Sequence, residues 1–248
     1  MPIVRTAGEG VLAVLPMQQS PGGVSASFLV QADDGADYWC KATNNPVSPR
    51  IPVNEQVVAR LGQMIGICVP DPVLVKLDGI AGWEFRRGHV VEAGWAHGCA
   101  AVAGALETRV LGHRSDDDNR VRHAGFYGLM DWLAGGDPQW LYSAPAENAY
   151  FSHDHGHFFP GGPDWTPASL ASTGTGEHGL GVPATGLDPD EVARLADAIE
   201  AVTKDEIDGV MSKIPLEWLV ADDDLAALSD FLEARRAPVA ARLRALLP

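Results

Sequence analysis

Lys41, Glu55, Asp137 and Asp154 have the types and the order that phosphoryl transfer from ATP requires. That chemistry needs a lysine to neutralise the α- and β-phosphates, one carboxylate to hold magnesium against them, and a second to orient an acceptor hydroxyl. Lys41 ends the strand-like run Tyr38, Trp39, Cys40, and Glu55 stands near the start of the next helical pattern, where an ion pair would hold the lysine in place. Asp154 follows the apolar run from Ala149 to Phe151 and lies between His153 and His155, with Gly156 next. Asp137 stands 17 residues earlier, just past a helical pattern. Taken singly, two of these residues have plainer readings. A lysine at a strand end usually snorkels at the surface, and Asp137 before Pro138 is a common turn dipeptide.

The elements that must position these residues change character along the chain. Residues 1–93 read as short strands around one helix. The runs 25–31 and 38–42 are joined by Asp33, Asp34 and Gly35 as a hairpin. Val53, Val57, Val58, Leu61, Met64 and Ile65 recur at helical spacing, with Gly66 as the stop. Strands are expected again at 73–77 and 81–85, and from about residue 98 the pattern reads as helical. Residues 119–134 carry Val121, Phe126, Leu129, Met130 and Leu133 and end at Gly135 and Gly136. Residues 156–186 hold eight glycines and four prolines, too many breakers for a regular element, so a long functional loop is expected. Helices follow at 189–203, with Asp188 as N-cap and Pro189 in the first turn, and then at 221–234 and 238–247.

Several alternatives fail on context. Gly174, Gly176 and Gly179 fit GxGxxG, but no strand precedes them and Pro183 stops a following helix. The P-loop, HExxH and GxSxG patterns are absent from the sequence. A metal-dependent hydrolase is the rival from another class: His153, His155 and His157 would share one face of a strand, and with His97 or His178 could ligate zinc or iron. The aspartate between the first two histidines departs from the HxHxDH order of metallo-β-lactamase-like enzymes.

The chain resembles the HipA-like kinases, bacterial Ser/Thr kinases of protein-kinase-like fold, in their short branch. The resemblance rests on four groups of residues in order: Asn54 and Glu55 with Ala59, Arg60, Leu61, Gly66, Val69 and Pro70; Gly136, Asp137, Pro138, Gln139, Trp140 and Leu141; Ser152, His153, Asp154, His155 and Gly156; and Ile214, Pro215, Leu216, Glu217 and Trp218. It implies a two-lobed α+β fold, with a small antiparallel lobe plus one helix over 1–93 and a larger helical lobe over 94–248. By position, Lys41 would contact the ATP phosphates with Glu55 as its partner, Asp137 would be the catalytic base and Asp154 the Mg2+ ligand. The expected cofactors are ATP and Mg2+, and the acceptor a protein Ser/Thr hydroxyl, with a small-molecule hydroxyl as the alternative. An antitoxin-like partner is not identified by the sequence.

Two departures matter. No His-Arg-Asp precedes the base, and Tyr142 stands five residues after Asp137, where kinases commonly place a metal-binding Asn. Gln139 and Asn148 are the candidate substitutes, and a catalytically inactive binding module is the reading that Tyr142 favours. The phosphate-covering loop would be Gly22 and Gly23 with Ser20, and Trp95 to Gly98, including His97, the hinge beside the adenine.

Composition bounds the partners. The 248 residues are 46% hydrophobic and 21% charged, enough for a core without metal or disulfide staples. Eighteen basic against 33 acidic residues give a net charge of −15, which repels nucleic-acid backbones and anionic membranes. No apolar run reaches the roughly 20 residues of a membrane span. Cys40, Cys68 and Cys99 are odd in number and lack CxxC spacing, which suggests a reducing compartment. Glu9 before the apolar stretch 11–15 is wrong for a signal peptide, so a cytoplasmic location is expected.

Overall fold

The computed structural model describes residues 3–5, 8–19, 25–178 and 182–248. Five strands close into a barrel in the order β1 (Val11–Gln19), β2 (Phe28–Ala32), β3 (Asp37–Lys41), β7 (Trp95–Ala100) and β4 (Pro72–Lys76). The period-two pattern explains the register, since alternate residues Phe28, Val30 and Cys40 are fully buried inside the barrel with Ala13, Val75 and Ala96. The expected hairpin is there: Gly35 takes φ 83° between β2 and β3. The expected purely antiparallel lobe is corrected at one seam, because β1 runs parallel to β4. Five strands arranged in a ring cannot alternate direction all the way round, so one parallel pair is unavoidable.

Helix α1 (Ile51–Met64) leaves β3 through a turn at 42–50 and starts with Pro52 in its first turn. Its apolar face, Val53, Val57, Val58 and Leu61, is buried in the larger of two cores, with Leu129 and Met130. A small hairpin, β5 (Glu84–Arg86) and β6 (His89–Val90), precedes β7. A second sheet is ordered β10 (Ala149–Phe151), β9 (Trp140–Ser143) and β8 (Ala105–Thr108). The rest is helical: α2 (Asn119–Trp132), α3 (Pro167–Thr173), α4 (Pro189–Ala201), α5 (Lys204–Met211) and α6 (Asp222–Arg244).

Four expectations are revised. The barrel does not end at residue 93: β7 follows and pairs with both β3 and β4. Residues after 98 begin with the end of that strand and the four-residue β8, elements too short to leave a periodic signal. The glycine-rich stretch holds a regular helix, α3, because Thr166 and Ser169 form a reciprocal capping box and Leu170 anchors its buried side. The two C-terminal helices are one. Pro238 lies inside α6, whose Leu228, Leu232, Val239 and Leu243 are buried on both sides of it, so packing outweighs the roughly 3 kcal/mol that an interior proline costs.

Candidate active site

Strand register places the first half of the site. Lys41 pairs with His97 and Trp39 with Cys99 across β3 and β7, and all four side chains line one cavity of about 570 Å³ on the outer face of the barrel. Glu55 reaches the same cavity from the first turns of α1, and His153 and Asp154 reach it from the segment after β10.

Lys41 is the junction. Its ammonium forms a buried ion pair with Glu55 and a partly buried one with Asp154. Burial alone would push the Lys41 pKa down, but the charges of Asp154 and Glu55 outweigh it and hold the pKa above that of an ordinary lysine. The reverse holds for the partners: burial raises each carboxyl, yet Lys41 keeps Glu55 well below, and Asp154 below, the usual carboxylate range. The site is a cation clasped by two anions.

Asp154 turns into the left-handed region at φ 53°, as Asp137 does at φ 50°, conformations that Asp tolerates better than bulkier residues. The chain reaches Asp137 through the Gly135 and Gly136 stop of α2, where the Gly135 N–H donates to Met130 O at 2.8 Å. Gln139 links the two aspartates: its Nε2 donates to Asp154 Oδ2 at 2.7 Å and lies 3.4 Å from Asp137 Oδ2. Arg109, after β8, places Nη1 3.3 Å from Asp137 Oδ1 at the exposed mouth.

Two histidines of the cavity have lowered pKa values. Burial pushes His97 down to about 3, with Lys41, His155 and Arg60 adding to the effect and Glu55 opposing it. In the orientation that satisfies both ends of its amide, Gln56 donates to His97 Nδ1 at 2.7 Å and accepts from Arg60 at 2.7 and 2.8 Å. Burial likewise pushes His153 down to about 4, and among the described residues its Nε2 has no partner.

Lys41, Glu55, Asp137, Asp154, Gln139 and His97 are thus brought together. Trp95 is not: it starts β7, four residues or roughly 13 Å before Cys99, where Gly8 and Trp218 cover it and its carbonyl accepts from Trp218 Nε1 at 2.9 Å. The expected hinge at 95–98 is a barrel strand, and the stretch that leaves along the cavity comes after it, with Ala100 and Val102 in the lining. Gly22 and Gly23 lie outside the described residues. Tyr142 faces the core, its hydroxyl donating to Gly112 O at 2.9 Å, and Asn148 is engaged with Asp116, so only Gln139 of the two candidate amides meets Asp154. The histidine row expected of a hydrolase does not form. β10 stops at Phe151, Asp154 breaks the extended backbone, and among the described residues no three His, Cys, Asp or Glu side chains gather as a metal site. Sequence reasoning missed Trp39, Cys99 and Glu107, whose only mark is strand position, and Arg109, which follows β8.

The Asp154 carboxylate offers oxygens of the kind Mg2+ prefers, and Gln139, which presents Nε2 to Asp154 Oδ2, would add an oxygen with its amide turned over. The cavity lies within the volume range of small-ligand sites, and His153 offers an unsatisfied buried nitrogen in its lining. The residues present fit a nucleotide with a hard divalent cation.

No family model and no curated protein matches the chain. Among solved structures, a Helicobacter pylori proinflammatory kinase, CtkA, aligns with a TM-score of 0.61 over 98% of this chain and 97% of its own, at 10% identity. The Golgi casein kinase with Mn/ADP bound aligns with a TM-score of 0.46 over 96% and 74% at 9% identity. HipA of the Shewanella oneidensis MR-1 toxin–antitoxin system gives 0.39 over 92% and 67% at 12% identity. Near-complete mutual coverage in the first alignment makes the fold of this chain kinase-like, in keeping with its resemblance to the HipA-like kinases.

Proposed function

We propose that the protein is an ATP- and Mg2+-dependent phosphotransferase acting on a hydroxyl, with a protein Ser/Thr as the acceptor that the family resemblance favours. The observation that carries this reading is Lys41 held between Glu55 and Asp154 in the wall of a nucleotide-sized cavity, with Asp137 one amide away. Lys41 binds the α- and β-phosphates, and Glu55 keeps its ammonium aimed at them. Asp154, with the Gln139 amide oxygen turned inward, would hold Mg2+, which neutralises charge on the phosphates when bound. Asp137 orients the acceptor hydroxyl and takes its proton. The hydroxyl oxygen forms a bond to the γ-phosphorus as the bond from that phosphorus to the β-phosphate oxygen breaks, and ADP leaves. An inactive binding module is the second reading, since Tyr142 stands where kinases commonly place an Asn and is turned into the core.

The test is ADP formation and acceptor mass with ATP and Mg2+, over a panel of peptides and small alcohols. The expected result is turnover that falls about 100-fold or more in Asp137→Asn, since a general base contributes about 10²–10⁴-fold. Equal turnover in Asp137→Asn and wild type would overturn the assignment of the base.

A further inference from the structure

The residue that follows Asp154 is a histidine buried to 1% exposure, and its polar atoms are turned toward α1. The left-handed turn at Asp154 aims the His155 main-chain N–H at Glu55 Oε2, 3.0 Å away. The ring follows the same direction: Nδ1 lies 3.5 Å from that oxygen, and Nε2 lies 2.8 Å from Ser152 Oγ, itself fully buried. Assigning the Ser152 hydroxyl as donor to Nε2 places the ring N–H at Nδ1, facing the carboxylate. One Glu55 oxygen therefore meets His155 while the other meets Lys41. The ring is held edge-on by Phe158 at 5.0 Å. The neighbouring Asn54 stitches the same two segments together, donating to Gly156 O at 2.8 Å and accepting from Trp165 Nε1 at 2.8 Å.

We infer that His155, with Ser152 fixing its ring, is a positioning residue that orients Glu55 and, through it, the phosphate-binding Lys41. The inference rests on the phosphotransferase reading of the site. Carboxylates with two oxygens can swing about their terminal torsion, and Lys41 alone restrains one end. His155 restrains the other, so the lysine is aimed before a nucleotide arrives. Groups that hold a ligand-binding side chain from behind commonly matter by about 10–100-fold when removed.

Three substitutions separate positioning from packing. His155→Phe keeps ring volume against Phe158 and loses both ring nitrogens. His155→Asn restores an N–H near the position of Nδ1, and Ser152→Ala removes only the hydroxyl that fixes the ring. The expected result is a KM for ATP raised about tenfold in His155→Phe with kcat little changed, because Lys41 grips the phosphates in ground and transition states alike. His155→Asn should recover most of that loss, and Ser152→Ala should fall between the two. A second readout needs no nucleotide: in the ligand-free protein, the Glu55 carboxyl carbon followed by NMR should titrate at higher pH in His155→Phe than in wild type. Unchanged KM and unchanged Glu55 titration in folded His155→Phe and Ser152→Ala overturn the inference. A wild-type protein that neither binds nor turns over ATP overturns the phosphotransferase reading instead, and the Glu55 titration still decides whether His155 orients that carboxylate.

Discussion

At the scale of single residues, the site is an electrostatic bargain among three buried groups. Burial works against each charge, while the carboxylates of Asp154 and Glu55 hold the Lys41 pKa up and Lys41 holds both carboxyls down. Lys41→Met leaves two buried anions facing each other, so urea unfolding should show a loss of about 3–5 kcal/mol, with Lys41→Met/Glu55→Gln recovering part of it. The histidines predict a different signature. His97, at about 3, and His123 and His153, each at about 4, are held neutral chiefly by burial. Below their ordinary value of 6.5 the unfolded chain binds protons that the folded chain refuses, so stability falls as pH drops from 6.5 toward 4. Melting temperatures across that window should decline, and less steeply in His123→Phe. Lys41, Glu55, Asp137 and Asp154 were legible in the sequence because their types and order suit one chemistry. Arg109 and Trp39 were not, because an arginine after a short strand and a tryptophan within one carry no chemical pattern until register places them on the cavity.

At the scale of elements, the hairpin β2–β3 and the helices α1, α2 and α4 could be read from alternation, helical spacing and stop signals. The misreadings share a cause: local rules lost to tertiary packing. The stretch expected as a hinge, 95–98, is part of β7, where a Cβ on Gly98 would meet Val75 Cγ2 at 2.5 Å, so the glycine is what lets the barrel strands close up. α3 is masked by the glycines and prolines around it, although one of them, Pro167, is its own first residue. α6 was cut in two by Pro238. That proline removes the N–H that would bond to the Ala234 carbonyl, and the helix survives because its buried face is continuous. Pro238→Ala should therefore stabilise the protein by about 2–2.6 kcal/mol, the interior-proline cost less the entropy that the proline withholds from the unfolded chain, and raise the melting temperature.

At the scale of the molecule, two cores meet at the cavity. The barrel has its own interior, while the apolar face of α1 belongs to the larger core with α2, α4 and α6. Glu55 is thus mounted on the helical mass and Lys41 on the barrel, so the ion pair between them spans both cores and reports their relative position. On the proposed phosphotransferase reading, the net charge of −15 favours acceptors that are neutral or basic near their hydroxyl. The most direct test of the central claim, that this cavity binds ATP through Lys41, is thermal unfolding of wild type and Lys41→Ala with and without ATP and Mg2+. Saturation at about 100 times Kd adds about 2.7 kcal/mol, or about 5–10 °C for a chain of this size. The account predicts that rise in wild type and most of it lost in Lys41→Ala; no rise with ATP and Mg2+, or the same rise in both proteins, would contradict it.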